Sequence, residues 1–408
     1  MSHHLGFRMQ PPPAQIPYDI FTNIINQLAS EYCYTELSKL SQTCHILLQP
    51  CRLHLFSSIY LGSHRSCRLT ALITRDSAIQ GYVTKLSYLT SNMTEDLANV
   101  LLLLKNVKSF DLRGEGRNPV KWTYLPEHIQ RALIHLFCSP SIIHISIYNF
   151  ISFPTILLSS CSNLESLKMI HCQSFSPELC GTTLHTPPRL LSLDISRLDY
   201  DPLQALLDMK QRPDGLSILD LSCLESLSIT VFNGRLFEEI LRSTTKLHHL
   251  ECQGISNHYF ASTISLSTIV CLVYGGMIPD HMIHALTIPL PTLQCLHLEW
   301  WAPYTIEQNF PSLIQLLKAL AHPLNCIEEL NLNIKFRYYK VDDLDWESLD
   351  PILSDRYGFG CLKTFTIQSS SGSIDHQRVT VVFDEIKRKK FPRLSSAAKG
   401  YLDFKFIP

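Results

Sequence analysis

Candidate metal ligands are few in this 408-residue sequence. His281 and His284 would place two imidazoles near one face of a helix, but no third ligand follows at a spacing that zinc sites use. His248 and His249 are adjacent and would point to opposite faces of a strand, so they cannot chelate one ion together. The 14 cysteines include no Cys-x-x-Cys pair. We therefore expect no metal site.

Motifs for covalent or phosphate chemistry are also missing. There is no Gly-x-Ser-x-Gly elbow, and Gly358-Phe-Gly360 is shorter than a phosphate-binding loop and precedes strand-like residues, which favours a turn. The carboxylate pairs Asp342-Asp343 and Glu328-Glu329 are typical of solvated loop or strand positions. We predict that the chain is not an enzyme, has no catalytic residues and needs no cofactor.

One basic run, Lys387 to Lys390 followed by Arg393, allows two interpretations. It could be a nuclear address or a nucleic-acid patch. It could also be the cationic last turn of a helix, where it would face the negative end of the helix dipole. The second is favoured because helix-like residues precede the run.

The bulk composition excludes several classes of partner. Apolar residues make up 45% of the chain, the formal net charge is −1 and the pI is about 7.0, so no nucleic acid or anionic membrane is expected as a partner. No signal peptide and no apolar run of membrane-spanning length is recognised. We expect a cytoplasmic and/or nuclear protein with reduced cysteines, and a disordered tail over residues 1–14.

The residues after this tail have the pattern of a first helix. Pro17 suits the first helical turn, where its missing N–H would have no partner in any case. Ile20, Ile24 and Leu28 recur every four residues and so share one helix face. This periodicity predicts an amphipathic helix.

Two further helices are expected in the same unit. Thr35 is placed as the cap of the second helix, and the third helix is placed after Pro50 and includes Ile59. The three helices are expected to occupy residues 15–61. A single linker helix is expected over residues 62–81.

The order of these segments resembles an F-box. An Ile-Pro pair opens the first helix, Ser-Gln-Thr-Cys-His ends the second, and RLHLFSSIYL closes the unit. The likeness is strongest to F-box-like proteins of filamentous fungi of the basidiomycete type. It implies docking onto a Skp-family adaptor and, through it, a cullin scaffold. By this resemblance the adaptor-binding residues are Ile16, Pro17, Ile20, Ile24, Leu28, Leu40 and Cys44.

A physical argument points the same way. The apolar residues of this unit exceed what about 45 residues can bury, and surplus exposed apolar surface usually marks an interface. The alternative is that the helices cap the end of the following repeats, since repeat arrays need covered ends.

From residue 82 onward the sequence repeats a loose pattern, apolar-x-x-apolar-x-apolar, in which the x positions are mostly polar. The copies begin at Val83, Val107, Ile142, Leu164, Leu190, Leu224, Leu247, Leu293, Ile327 and Leu362, with a weaker copy at Ile269. Most copies follow a helix-like stretch, so helix and strand alternate. Such units bury their apolar faces only by stacking, with parallel strands inside and helices outside.

This pattern resembles leucine-rich repeats over residues 82–367. The turn position that usually carries Asn or Cys departs from the family, although Cys172 fits it. The expected fold is therefore α/β: a three-helix F-box-like module followed by an irregular leucine-rich-repeat solenoid over residues 82–408. Its C-terminal cap would include a closing strand in Tyr401–Pro408.

The polar residues between the apolar ones are expected to form rows on the outer face of the strands. These rows have mixed charge, which suits recognition of a protein. Trp301 is a candidate anchor because tryptophan is enriched among residues that dominate interface energies, although a structural tryptophan fits equally well. The candidate target-binding residues are Lys168, Asp194, His249, Glu251, His297, Trp301 and Glu329.

These expectations lead to two functional hypotheses. The first is a substrate-recruiting adaptor of a Skp/cullin-type ubiquitin ligase, which holds the Skp-family adaptor with its N-terminal helices and an unknown target protein with its repeats. The second is a leucine-rich-repeat scaffold or inhibitor protein with no link to ubiquitin.

Overall fold

The chain is a mixed α/β protein with a parallel central sheet. Its structure is a computed structural model in whose described residues thirteen strands form the main sheet and three short strands form a second one. The residues that the structure describes are 18–62, 66–91, 93–116, 118–176, 186–196, 217–230, 244, 246–253, 268–274, 292–302, 306–336, 345–369, 384–397 and 403–407.

The strands of the main sheet stand in chain order, and each neighbouring pair is parallel. They are β1 Ser58–Leu61, β2 Lys85–Leu89, β3 Ser109–Arg113, β5 His144–Tyr148, β7 Ser166–Ile170, β9 Ser192–Ser196, β10 Ser226–Thr230, β11 His249–Gln253, β12 Thr268–Tyr274, β13 Cys295–Ala302, β14 Glu329–Phe336, β15 Thr364–Ser369 and β16 Asp403–Ile407. The second, parallel sheet contains β4 Val120–Lys121, β6 Phe150–Pro154 and β8 Gln173–Ser176.

The alternation of apolar and polar residues explains the main strands. In β3, Phe110 and Leu112 are fully buried, whereas Ser109 and Asp111 lie on the other face and are half-buried. Each of the ten full copies of the repeated pattern contains a strand that begins two residues after the first apolar residue. The predicted strand positions and the closing strand are thus confirmed.

The weaker copy was placed in the wrong frame. The structure pairs Ile269 with Leu250 and Leu296, which are the fourth residues of their copies, not the first. The frame is therefore wrong by three residues. The cause is the continuous apolar run from Ile269 to Tyr274, because a run without polar residues fits the pattern in more than one frame.

The N-terminal helices are α1 Tyr18–Ser30, α2 Tyr34–Ser41 and α3 His45–Leu55. Two sequence predictions about them are wrong. Thr35 lies inside α2, whose N-cap is Cys33, and α3 begins well before Pro50 and contains it. Pro50 is the sixth residue of α3, beyond the first turn, so its missing N–H removes one helical hydrogen bond, and burial of the flanking Leu47 and Cys51 between the N-terminal helices offsets this loss.

The segment after α3 also differs from expectation. Residues 58–61 form β1, the first strand of the main sheet, and the expected single linker helix over 62–81 is two helices, α4 Ser66–Arg75 and α5 Ser77–Tyr82. Asp76 separates them because its carboxylate accepts a hydrogen bond from the N–H of Ala78 (3.0 Å) and caps α5.

Further helices follow along the chain: α6 Glu95–Leu103, α7 Glu127–Phe137, α8 Ile306–Leu320, α9 Leu349–Leu353, α10 at residues 384–390 and α11 Pro392–Ala397. The sequence also predicts one of the helix-like stretches that precede the repeated copies at residues 235–242, which lie outside the described residues. The basic run forms the last turn of α10, where Lys389 pairs with Glu385 and Lys390 with Glu347. Across the described ranges, no helix is long and apolar enough to cross a membrane.

Two separate apolar clusters hold these elements together. The large one runs along the whole described sheet, from Ile59 to Leu394. The small one lies between the three N-terminal helices and consists of Ile25, Leu37, Leu47 and Cys51. The N-terminal helices therefore have a core of their own.

The turns that follow β5 and β7 lead into strands β6 and β8 of the second sheet. Asn149 and His171 follow these strands, and both adopt left-handed backbone conformations (φ 63° and 54°). The Asn149 amide donates hydrogen bonds to the carbonyl oxygens of Gly116 (3.1 Å) and Asn118 (3.3 Å). The Cys172 thiol lies 3.6 Å from the carbonyl oxygen of Ile147. This is the turn position at which the sequence retains a cysteine, and burial raises the pKa of that thiol to about 12.

Candidate functional site

The first candidate surface is the outer side of the N-terminal helices. Ile20 and Ile24 lie one turn apart on α1 and are 48% and 44% exposed, while their neighbour Ile25 is buried in the small core. Two other predicted adaptor-binding residues, Ile16 and Pro17, lie outside the described residues. An isoleucine pair open to solvent is what a docking surface requires.

The remaining predicted adaptor-binding residues have different positions. Leu28 and Leu40 are half-buried and pack against the small core. Cys44 is exposed and is the N-cap of α3, and its side chain makes no capping hydrogen bond. Leu28 and Leu40 therefore support the module from inside, whereas Ile20, Ile24 and Cys44 face solvent.

The structure adds apolar residues that the sequence analysis missed. Ile46 is 66% exposed and follows Cys44 by two residues, and Leu53 is also exposed. Tyr32 and Tyr34 are exposed and contact each other edge to face, with ring centroids 6.3 Å apart. Apolar residues of α3 include Ile46 and Leu53 as well as Leu47 and Cys51. The sequence did not indicate which of them face the core, so the exposure of Ile46 and Leu53 became evident only once Leu47 and Cys51 were known to be buried.

The second candidate surface is the solvent-facing side of the main sheet. The register places the predicted residues in rows that cross the strands. Lys168 stands opposite Asp194, which stands opposite Ser228, which stands opposite Glu251. We call this the central row. It continues to His297 and Asn331, and in the other direction it passes through Ser146 and Asp111.

At the middle of the central row, the Lys168 ammonium forms an ion pair with the Asp194 carboxylate across β7 and β9. The hydrogen bond to Asp194 raises the pKa of Lys168, and the charge of Glu251 adds to this effect although burial opposes it. Lys168 is therefore protonated at neutral pH, and its ion pair with Asp194 joins two neighbouring strands of the sheet.

Two histidines and a carboxylate stand together on β11 and β13. Partial burial lowers the pKa of His249, and the nearby His248 and His297 contribute to this lowering, while Glu251 opposes it. His249 is therefore mainly neutral at pH 7. His249 belongs to another row, which runs alongside the central row and lies two residues nearer the N-terminal ends of the strands. This row also contains Glu329, and we call it the first row.

The side chains of β13 and β14 are held by the Asn331 amide. Its nitrogen donates to His297 Nδ1 (2.9 Å) and to Glu329 Oε1 (2.7 Å). Because an amide nitrogen only donates hydrogen bonds, Nδ1 of His297 is the acceptor in this contact. Both partners of Asn331 are among the predicted target-binding residues, whereas Asn331 was predicted only to lie in the outer row of the sheet.

The candidate anchor Trp301 lies on β13, opposite Lys335 of β14 and four residues beyond His297. The direction of its side chain is outside the described part of the structure.

A different aromatic residue, Tyr148, stands out on the described face of the sheet. The Arg113 guanidinium lies 4.9 Å from the centroid of the Tyr148 ring and also contacts the Asp111 carboxylate at 3.1 Å. Sequence analysis missed this pair because it lies one position beyond the repeated pattern.

A cavity of about 1150 Å³ opens at the N-terminal ends of β5 to β10 and is lined by Ser141, Asn163, Arg189 and Asp220 among others. Burial tends to raise the pKa of Asp220, but hydrogen bonds from Ser222 and the charge of Arg189 (3.4 Å) outweigh it and hold this pKa below its ordinary value. Two of the residues that line this cavity, Thr186 and Ser217, are the first residues of described ranges.

The other residues considered for chemistry either lie outside the described residues or stand apart from one another. His281, His284, Asp342 and Asp343 lie outside the described residues. Glu328 pairs with Lys363 (2.7 Å) just before the starts of β14 and β15, and the segment containing Gly358 packs against Ala321. Among the described residues, no three His, Cys, Asp or Glu side chains converge as metal ligands.

The arrangement thus has two candidate surfaces, an apolar one on α1 and a polar one on the sheet. Comparison with known proteins adds no relative: no protein-family model matches the chain, and no curated protein is significantly similar to it.

Proposed function

We propose that the chain is a substrate-recruiting subunit of a Skp/cullin-type ubiquitin ligase, acting in the cytoplasm or nucleus. Its N-terminal helices would bind the Skp-family adaptor, and the sheet face would bind a target protein. The strands, which follow one another in chain order in one parallel sheet, would be the inner layer of an irregular leucine-rich-repeat solenoid.

One observation carries this proposal. The three N-terminal helices already bury a core of their own, yet Ile20 and Ile24 remain about half exposed on the same helix. An isolated surface isoleucine is ordinary, but two such residues one helical turn apart, with the exposed Ile46 and Leu53 in the same small unit, form an apolar surface without a function in the fold itself.

The proposed mechanism is proximity. The helical unit is tied to the sheet because β1 begins three residues after α3 ends, and because the Arg52 guanidinium on α3 contacts the Asp76 carboxylate at 3.2 Å. A target on the sheet would therefore be kept near whatever the helices bind, which raises its effective concentration there. The chain itself would supply no nucleophile.

A second candidate, a leucine-rich-repeat scaffold or inhibitor without a ubiquitin link, is favoured by the same attachment. The module runs directly into the first strand of the sheet, and Phe56 at the junction packs against the large core. An N-terminal cap of a repeat array would be attached in this way.

A binding assay with a purified Skp-family adaptor tests the first candidate. Fully burying an isoleucine stabilises by about 1.5–3 kcal/mol, so the exposed half of each contributes roughly 1 kcal/mol, and an aspartate adds the cost of a buried charge. Ile20→Asp and Ile24→Asp should each weaken binding by at least about tenfold. Leu102→Asp, at a 40% exposed leucine of α6, is the matched control and should bind normally. Failure of the unaltered chain to bind at micromolar concentration would rule out this function.

A deletion separates the two candidates. Removing residues 1–55 leaves β1 in place. If the shortened chain keeps its melting temperature and loses only the adaptor, the helices serve docking. A large fall in melting temperature in a chain that never bound the adaptor would favour the cap. Among point variants, Leu28→Asp is not a suitable test of adaptor binding. Leu28 packs against the small core, so this change would disturb the folding of the helices.

A further inference from the structure

The turn that follows α1 has the hydrogen bonds of a Schellman motif. The backbone N–H of Tyr32 donates to the carbonyl oxygen of Ala29 (3.2 Å), and the N–H of Cys33 donates to that of Leu28 (2.9 Å). Both bonds close the last turn of the helix. They require a left-handed backbone at the residue between helix and loop, and this residue is Tyr32, with φ 58°.

Tyrosine is an unfavourable residue at this position. Helices that end in this way usually have glycine there and sometimes asparagine, because the Cβ atom of other residues approaches a backbone carbonyl oxygen in the left-handed conformation. The turn itself needs no side chain at Tyr32, since its two hydrogen bonds are made by the backbone. Glycine would therefore stabilise the turn more than tyrosine does.

The side chain of Tyr32 does little to offset this cost within the described residues. It is 76% exposed, and its ring contacts that of Tyr34, which is itself 46% exposed. Asn149, the left-handed residue after β5, differs in this respect, because its amide donates hydrogen bonds to the carbonyl oxygens of Gly116 and Asn118. A ring that destabilises its own turn and remains in solvent indicates a role outside the fold.

This tyrosine stands at the end of the exposed side of α1. Ile20, Ile24, Gln27 and Glu31 follow one another at intervals of four, three and four residues, so they lie along one side of the helix, and all four are exposed. The Gln27 amide donates to the Glu31 carboxylate (3.0 Å), which confirms that these positions are neighbours. Tyr32 is the next residue of the chain.

The distance from the isoleucines to this tyrosine is short enough for one partner to cover both. Tyr32 follows Ile20 by twelve residues, which correspond to about 18 Å along a helix. Each partner in a stable complex buries about 800 Å², which is a patch roughly 30 Å across. A protein of that footprint centred near Ile24 therefore reaches Tyr32.

We propose that Tyr32 is an anchor residue of the adaptor interface, and that its ring enters an apolar pocket of the Skp-family adaptor when Ile20 and Ile24 are covered. Tyrosine is enriched among the residues that dominate interface energies. The left-handed turn holds the backbone of the ring in place before binding, so little conformational freedom is lost in the complex. This inference adds a residue to the docking surface and so rests on the proposed function.

Two effects of opposite direction distinguish an anchor from a structural residue. Tyr32→Gly relieves the turn, so hydrogen exchange in peptides that cover α1 and α2 should become about three- to tenfold slower. The same change removes the ring. The affinity of the full chain for a purified Skp-family adaptor, measured by fluorescence polarisation, should therefore fall by at least about tenfold.

Two further variants serve as controls. Tyr32→Asn also suits the left-handed conformation and should weaken adaptor binding as much as Tyr32→Gly, which separates loss of the ring from flexibility of glycine. Tyr124→Ala removes a tyrosine that is equally exposed, at 77%, but lies outside the N-terminal helices. It should leave adaptor affinity unchanged.

Slower exchange in Tyr32→Gly together with weaker adaptor binding by both Tyr32 variants would support the anchor. Unchanged adaptor affinity in Tyr32→Gly, with a loss in Ile20→Asp, would overturn the anchor and leave the proposed function intact. Faster exchange in Tyr32→Gly would also overturn it, because the ring would then be stabilising the fold of its own chain. Failure of the unaltered chain to bind the adaptor would reject the proposed function, and the anchor with it.

Discussion

Asp350 is expected to hold the C-terminal end of the described sheet in place. It lies in α9, is only 4% exposed, and its two carboxylate oxygens accept hydrogen bonds from the backbone N–H groups of Arg393 (3.0 Å) and Leu394 (2.9 Å). These two N–H groups are in the first turn of α11 and have no partner within that helix. A carboxylate forty residues away in the sequence thus caps the helix.

The effect of Asp350→Ala follows from this geometry. Removing a capping side chain costs about 0.5–2 kcal/mol, and each buried N–H group left without an acceptor costs about 1–3 kcal/mol unless water replaces it. We expect a loss of roughly 2–4 kcal/mol in the free energy of unfolding of this region. Asp350→Asn keeps one acceptor oxygen and should lose about half as much.

Hydrogen exchange measured by mass spectrometry is the suitable assay, because peptides that cover α11 report the local opening directly. Asp345→Ala is the matched control, since Asp345 is an exposed carboxylate of the same segment that caps only the short turn ending at Ser348. It should cost no more than about 1 kcal/mol. Unchanged exchange in α11 after Asp350→Ala, or an equal effect of both changes, would refute the reasoning.

Three further perturbations have clear expected outcomes. Gly114→Ala would place a Cβ atom 2.2 Å from the carbonyl oxygen of Asn149, so thermal unfolding should reveal a loss of about 1–3 kcal/mol. A double-mutant cycle of Arg52→Met and Asp76→Asn, read by chemical denaturation, should give a coupling below about 1 kcal/mol because both side chains are partly exposed, and a much larger value would contradict this. The pKa of His249 is lower in the folded state than in the unfolded state. The stability that this residue contributes is therefore present above the unfolded pKa and is lost as pH falls below about 6.5. His249→Gln should make the free energy of unfolding depend less on pH in this range, and an unchanged pH dependence would contradict this.

The strands could be predicted from the sequence because their signal is local and repeated. A residue such as Leu227 lies between two polar neighbours, and that alternation alone places it toward the core, where it is fully buried. The frame at Ile269 was lost for the same reason, since a strand without polar residues carries no alternation to read. Local pattern therefore predicts a strand only where one of its faces remains polar.

The helix boundaries near the N-terminus were harder to predict because they depend on partners distant in sequence. Pro50 would normally mark a break, yet α3 continues through it, since Leu47 and Cys51 on either side of the proline both pack into the small core. Tertiary packing overrides the local preference here. The capping role of Asp350 has the same origin, because no sequence spacing relates it to Arg393 and Leu394.

The candidate surfaces depend on both kinds of information. The central row followed from the repeated pattern, because residues at one position of each copy stand opposite one another in a parallel sheet. The pair of Arg113 and Tyr148 did not, since these residues lie just past the pattern and become neighbours only through the register of β3 and β5. A sequence can thus indicate which face of a sheet is free to bind. The large side chains that give this face its specificity lie at the strand ends, where the repeat is least regular and the register must be known.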